Sequence, residues 1–459
     1  MAAGRHPPAL QDRTRALEAL LRDEPLSAQA LGAALGISQP TLSRTLQAAP
    51  ELFTQFRIPG ERTPRYARLR ALPGGLLPRQ TVYRVTATGA IEPFAQVEFL
   101  GGGATLERGT RSRTRLYGGL PPYMAFSAPS GFLGRQVAQS VASLLHLPLS
   151  LRDWSDDHRI AYLFTRGLNL AGNLVYGDLS LQLEMDLRQA EATPARDKLA
   201  HYVAMASALK EASFGSSAGG EQPKFLGVVQ DAGHVIVKFA RKGSRMADLL
   251  PLEHLALRAL AEVDVPAAAS ELLASGDHVF LEVRRFDRIG LHGRIGMLSA
   301  GSVDDEFFGA RDTWSEFAAR CELAGFLSAD DARRIDVMAA FSELIGNGDR
   351  HFENISLLIG EDGEYQGVAP AYDILPMRYA PIGAGVDPDL LPIAPRIGSI
   401  GAKPAVWARA ALAAERFWTA AQHAALPVTI PPAFRTLAAR NLAVAQAFVA
   451  PLLPARATP

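Results

Sequence analysis

Apolar residues recur at helical spacing at Ala16, Leu17, Leu20 and Leu21, and the pattern breaks at Pro25-Leu26-Ser27, where Ser27 can serve as an N-cap. A second helix carries Leu31 and Leu35, Gly36 turns the chain, and Ser38-Gln39-Pro40 opens a third with Leu42 and Leu46 inward. Leu72-Pro-Gly-Gly-Leu-Leu-Pro78 reads as a linker. Beyond it, β-branched and aromatic runs at 81–86 and 95–100 alternate with glycines, and a helix is expected from Gly134 to Leu145. No chemistry is legible between residues 80 and 190. Helical spacing returns at 197–212, strands follow at 224–229, 234–240 and 278–286, and an amphipathic helix carrying Glu253 lies between them. The rest is mostly helical, with Ser328 and Asp331 set as a capping box before a long helix that ends at Gly346.

The third helix turns Gln39, Thr41, Ser43 and Arg44 outward, which resembles the second helix of a helix-turn-helix. Arg57, Arg62, Arg65 and Arg68 follow around a Pro-Gly-Glu turn, as a basic wing would. Residues 1–72 hold ten Arg against six Asp plus Glu in a chain whose net charge is zero. DNA binding is therefore expected of this segment, against a solvated basic face as the alternative.

At 459 residues the chain is long enough for several domains and a large core. One cysteine, Cys321, excludes an internal disulfide framework and suits a reducing cytoplasm. The N-terminus lacks the apolar core of a secretion signal, and no run of 18 apolar residues occurs, so neither export nor a membrane span is expected. Only six of 47 basic residues are lysine. Codon bias explains that scarcity, yet two of the six, Lys224 and Lys238, fall in the motifs below.

The chemistry concentrates in Gly346-Asn-Gly-Asp-Arg-His-Phe-Glu-Asn354 and in Ala371-Tyr-Asp373. Asp349 and Asn354 stand at i, i+5, and Asp373 follows a short apolar run. Phosphoryl transfer requires a carboxylate to take the proton of the attacking hydroxyl, and an amide oxygen plus a second carboxylate to hold magnesium on ATP. Upstream, Ser216 to Lys224 is rich in small residues whose backbone N–H groups can approach phosphates, with Gly219 and Gly220 within it. Lys238 occupies a strand interior, where a buried ammonium needs a partner; phosphates and Glu253 are the candidates. The chain therefore reads as an α+β multidomain protein. Its parts are an N-terminal winged helix-turn-helix (1–72), a β-rich subdomain (80–195), and a bilobal kinase-like fold with N-lobe 196–290 and helical C-lobe 291–459.

The order of Ser216-Ser-Ala-Gly-Gly-Glu-Gln-Pro-Lys224, Val237-Lys238, Arg285-Phe-Asp-Arg288, Asn347 to Asn354 and Tyr372-Asp-Ile374 resembles the HipA-like serine/threonine kinases of bacterial toxin–antitoxin systems. The fused N-terminal segment resembles the YjjJ-type branch. The resemblance implies Asp349 as base and Asn354 and Asp373 as magnesium ligands. It also implies Lys238 on the α/β phosphates, Glu282 to Arg284 near the adenine, and autophosphorylation of Ser216 or its neighbour Ser217. His351 would brace the catalytic loop or touch the γ-phosphate. A protein substrate such as an aminoacyl-tRNA synthetase is implied in the same way. In the better-known members the DNA-binding protein is a separate antitoxin. This chain departs from them in carrying that segment fused, so an antitoxin is a candidate partner rather than a required one. Two other readings stay open: a small-molecule or lipid-type kinase, since Gly348-Asp-x-His-x-x-Asn354 also resembles aminoglycoside phosphotransferases, and a non-enzymatic nucleotide-sensing regulator.

Overall fold

The computed structural model describes residues 8–109, 114–212, 222–383 and 385–453. Its first unit is three helices, Pro8–Leu20, Ala28–Leu35 and Gln39–Gln47, followed by a hairpin of Phe53–Phe56 with Arg65–Arg68. Ser27 Oγ accepts the Ala30 N–H at 3.2 Å, and Gly36 closes the second helix in the left-handed region at φ 64°, where a Cβ would be strained. Leu17, Leu21, Leu31, Leu42 and Phe53 form its buried centre.

The second unit is a five-stranded antiparallel sheet in the order 114–117, 105–109, 91–99, 79–85, 174–176. It is backed by the helices Gly131–Leu145, Asp156–Arg166 and Gly177–Arg188, around Phe99, Trp154, Phe164 and Tyr176. The glycines at 101 and 102 mark where the first unit sits on this one. A Cβ on Gly101 would meet the Arg22 carbonyl at 2.1 Å, and one on Gly102 the Asp23 carbonyl at 1.8 Å. Only glycine admits backbones that close. Arg79 and Arg108 then donate to the Phe53 and Gln55 carbonyls across the same seam, at 2.9 and 2.8 Å.

The third unit holds a four-stranded antiparallel sheet in the order 270–275, 278–284, 233–241, 224–229. Strand period makes its two faces different. Val235, Val237, Phe225 and Phe280 face the helix Lys198–Ala212 through Tyr202 and Ala206. Lys224, Lys238 and Leu281 are register partners and share the opposite face, against the helix Arg245–Ala261.

The remaining chain packs the helices Trp314–Leu323, Ala329–Ile345, Pro404–His423 and Pro432–Val449 around Phe341, Trp407, Phe417 and Trp418, all fully buried. Burying each such side chain contributes roughly 1.5–3 kcal/mol, which gives this unit a rigid base for the loops it carries. A small sheet of 296–299, 356–359 and 365–368 lies beside it. No helix among the described residues is long and apolar enough to cross a membrane.

Candidate active site

The loop bearing Asp349 begins where the long helix Ala329–Ile345 stops. Ser328 caps its start by accepting the Asp331 N–H at 3.1 Å, and Gly346 ends it at φ 77°. Buried Asn347 then turns the chain, its Oδ1 accepting the Asp349 N–H at 3.1 Å. Asn354 closes the loop by donating from Nδ2 to the Asp349 carbonyl at 3.0 Å, so its Oδ1 has no partner among the described residues. Trp314 Nε1 donates to the His351 carbonyl at 3.2 Å. Arg350 is drawn back onto Glu343 at 2.5 Å, and the Asp349 carboxylate is left half exposed.

His351 lies 3.4 Å from both Asp349 and Glu353. The Glu353 hydrogen bond, with Asp349 adding to it, raises the imidazole above its ordinary value. Reciprocally, His351 and then Arg311 hold the Glu353 carboxyl down at about 2. His351 is thus fixed by its two carboxylate neighbours, and its charge is also felt at Asp373.

Asp373 follows Ala371, which is pinned by backbone bonds to Pro266 and Ala268 at 2.8 and 2.9 Å. Its φ of 56° is an uncommon conformation for a residue with a Cβ, at a position where side-chain direction matters. Lys238 Nζ bridges Asp373 Oδ1 at 2.5 Å and Glu253 Oε1 at 2.6 Å. Burial works against the charges of both partners. Even so, Lys238 and then Lys224 hold Asp373 well below the usual carboxylate range, and the two carboxylates hold Lys238 above its own. Glu253, the most deeply buried, is raised by that burial. The Asp373 side chain retains about a third of its exposure.

An apolar cavity of about 360 Å³ opens on the Lys238 face. Leu226, Ile236 and Val283 line it from the sheet, with Phe286 and Tyr372 opposite, and Phe126 and Leu133 of the second unit close its outer wall. An open groove of about 570 Å³ runs along the Asp349 loop, from Asn347 to Arg350, past Met377 and Arg378.

Several expectations need correction. Glu282 and Arg284 lie on the sheet face away from Lys238. Buried Glu282 accepts from Tyr202 Oη at 2.5 Å and pairs with Lys198 at 3.3 Å, so it does not reach the cavity, whereas its strand neighbours Val283 and Arg284 line it. Arg65 is paired bidentately with Glu61 at 2.9 and 2.6 Å, and Arg68 faces Glu18 at 3.6 Å, while both side chains keep about a third of their exposure. Arg62, Arg44 and Gln39 remain exposed, with Thr41 and Ser43 partly so. Ser216, Ser217, Gly219 and Gly220 fall outside the described residues.

Sequence reasoning gave no role to Arg285-Phe-Asp-Arg288. Asp287 accepts from Arg285 Nη2 at 2.8 Å, Arg288 Nη1 at 2.6 Å and the Gly172 N–H at 2.9 Å, while both arginines donate to the Leu170 carbonyl. The motif clamps the second unit to the third. A charged run beside an aromatic hinted at it, but its partners lie more than a hundred residues away.

Residues 77–185 match the YjjJ-like toxin middle domain, and residues 216–438 match the HipA-like C-terminal domain. The toxin YjjJ of Escherichia coli K12 is 32% identical over 430 residues, covering 91% of this chain and 94% of that one. The chain belongs to the HipA-like toxin family, within the YjjJ-like toxins. Among solved structures, HipA from the Shewanella oneidensis MR-1 complex of HipA, HipB and operator DNA aligns at 14% identity. It covers 78% of this chain and 95% of that one, with a TM-score of 0.44. The Helicobacter pylori proinflammatory kinase CtkA aligns at 10%, covering 49% and 90%, with a TM-score of 0.36.

Proposed function

We propose that the chain is an ATP- and magnesium-dependent protein serine/threonine kinase that acts as a growth-inhibiting toxin, with its first 72 residues binding DNA for autoregulation. The observation that carries this is Lys238 seated between Glu253 and Asp373, on the sheet face that lines the apolar cleft, with Asp373 feeling the charge of His351 in the Asp349–Asn354 loop. A buried ammonium between two carboxylates is poised to exchange one of them for phosphate oxygens.

ATP with magnesium supplies the phosphoryl group and the charge that neutralises it. The residues fit such a load: the Asp373 carboxylate is ionised and part-open, and the Asn354 Oδ1 has no partner among the described residues. Two protein oxygens with phosphates and waters completing the shell suit magnesium. Asp349 would accept the proton of the attacking hydroxyl as its oxygen bonds to the γ-phosphorus and the bond to the bridging oxygen breaks, releasing ADP, and His351 keeps that carboxylate oriented. The open groove beside Asp349 favours a protein segment over an enclosed small molecule.

The deciding experiment incubates wild type and Asp349→Ala with γ-labelled ATP, magnesium and cell lysate. Labelling should fall by on the order of 10² or more in the variant. Undiminished labelling overturns the assignment. For DNA, Arg44→Ala should weaken the gel shift of the chain's own promoter. Arg57 and Arg62 should contribute a salt-sensitive share, and a shift that survives deletion of residues 1–72 rejects this part.

A further inference from the structure

A second cavity of about 400 Å³ lies between the sheet of the second unit and the small sheet of the helical unit. It shares Phe126, Ser127, Ala171 and Met297 with the apolar cleft, so one thin wall separates the two. Its lining is aromatic: Phe94, Tyr117, Tyr123 and Phe126 from one side, Phe326 and Tyr365 from the other. The rings are in mutual contact, Phe94 edge-on to Tyr123 at 5.7 Å and Phe326 tilted against Tyr365 at 4.9 Å between centroids. Into this box projects Glu107, 8% exposed, whose Oε2 accepts from Tyr123 Oη at 2.6 Å.

No cation among the described residues forms an ion pair with Glu107. Arg115, its cross-strand neighbour, also lines the cavity and acts on Glu107 at longer range, but its side chain is exposed. Arg84 also lines the cavity, yet it is spent on Glu92 at 3.0 Å and on the Glu361 carbonyl. Burying a carboxylate without a countercharge is expensive, and burial does push the Glu107 carboxyl up. A ring of π faces around an acid is the arrangement that recognises an organic cation, because the faces attract the charge and the acid fixes its position.

We propose that this inter-unit cavity binds a small organic cation, an ammonium or guanidinium on a short apolar body, with Glu107 as its counter-ion. The guest touches both the sheet of the second unit and the helical unit, so its occupancy fastens the two. Neither the catalytic loop nor the basic face of the first unit takes part.

The test is thermal unfolding of the full chain with agmatine, and with glutarate as an anion of similar length, at matched ionic strength. Agmatine at millimolar concentration should raise the midpoint by roughly 2 °C or more through mass action. Glutarate should not. Glu107→Gln should abolish the agmatine rise, and Phe326→Leu, which keeps apolar volume but removes a π face, should reduce it. Arg115→Ala should bind agmatine at least as well as wild type, since it deletes an internal competitor for Glu107. No rise with agmatine, an equal rise in Glu107→Gln, a rise with glutarate alone, or loss of the response in Arg115→Ala each overturns the proposal. If Glu107→Gln does not fold, an undiminished rise in Phe326→Leu does so instead.

Discussion

Two buried charge clusters in this chain look alike in sequence and differ in what they leave open. Around Asp287, two guanidinium groups and the Gly172 N–H satisfy the carboxylate, and the arginines spend further donors on residues 169–172, while Arg288 Nε is buried without a partner. Around Lys238, one ammonium serves two carboxylates, one of which, Asp373, keeps about a third of its side chain exposed. The first cluster ties the second unit to the third and is closed to solvent, so it is a joint. The second keeps a part-exposed carboxylate on its ammonium, and the proposed phosphotransfer rests on that carboxylate. What separates the two networks is the exposure of one acid rather than charge.

The sharpest way to break this comparison is at the joint. Asp287→Ala leaves two arginines buried without their acid and should cost about 3–5 kcal/mol, seen as an early loss of structure in denaturant. If that variant unfolds like wild type while labelling disappears, the cluster is not a joint.

The next effect is smaller in stability and larger in chemistry. Lys238→Met should destabilise, because Glu253 loses its countercharge, and should abolish phosphotransfer. Adding Glu253→Gln should recover most of the melting temperature without recovering labelling. Recovery of both would show that the pair serves packing alone.

The smallest effect is a pH dependence. Burial opposes the Asp287 charge, but Arg285 and Arg288 hold its folded pKa far below the ordinary carboxylate value. Its stabilisation is therefore present above about pH 4 and lost as pH falls through and below that point. The melting gap between wild type and Asp287→Asn should be widest near about pH 6 and narrow on acidification. A gap that widens toward acid contradicts the assigned sign.

Much of this molecule is legible in its linear sequence. The strand expected at 234–240 runs Gly233–Arg241, the helix expected from Gly134 begins at Gly131, and the helix expected at 329–346 ends one residue earlier, at Ile345. Periodicity, caps and turn glycines are local, and local signals survive in a linear text. The spacing of Asp349 and Asn354 is legible for the same reason, since one short loop carries both.

What tertiary structure alone decided is which side chains meet. Strand alternation is visible in sequence, but which face of the sheet becomes the cleft depends on where the helices Lys198–Ala212 and Arg245–Ala261 dock. That docking sends Lys238 inward and Glu282 to Tyr202 on the far side. Arg65 is similar: its charge is countable, whereas its capture by Glu61 depends on the hairpin's turn. The role of 80–190 was hidden altogether, because Phe126, Leu133 and Ala171 are ordinary apolar residues until the Asp287 clamp lays them against the cleft. Composition and spacing encode what each residue can do, and long-range packing, whose contacts leave no periodic trace, selects which of those capacities is used.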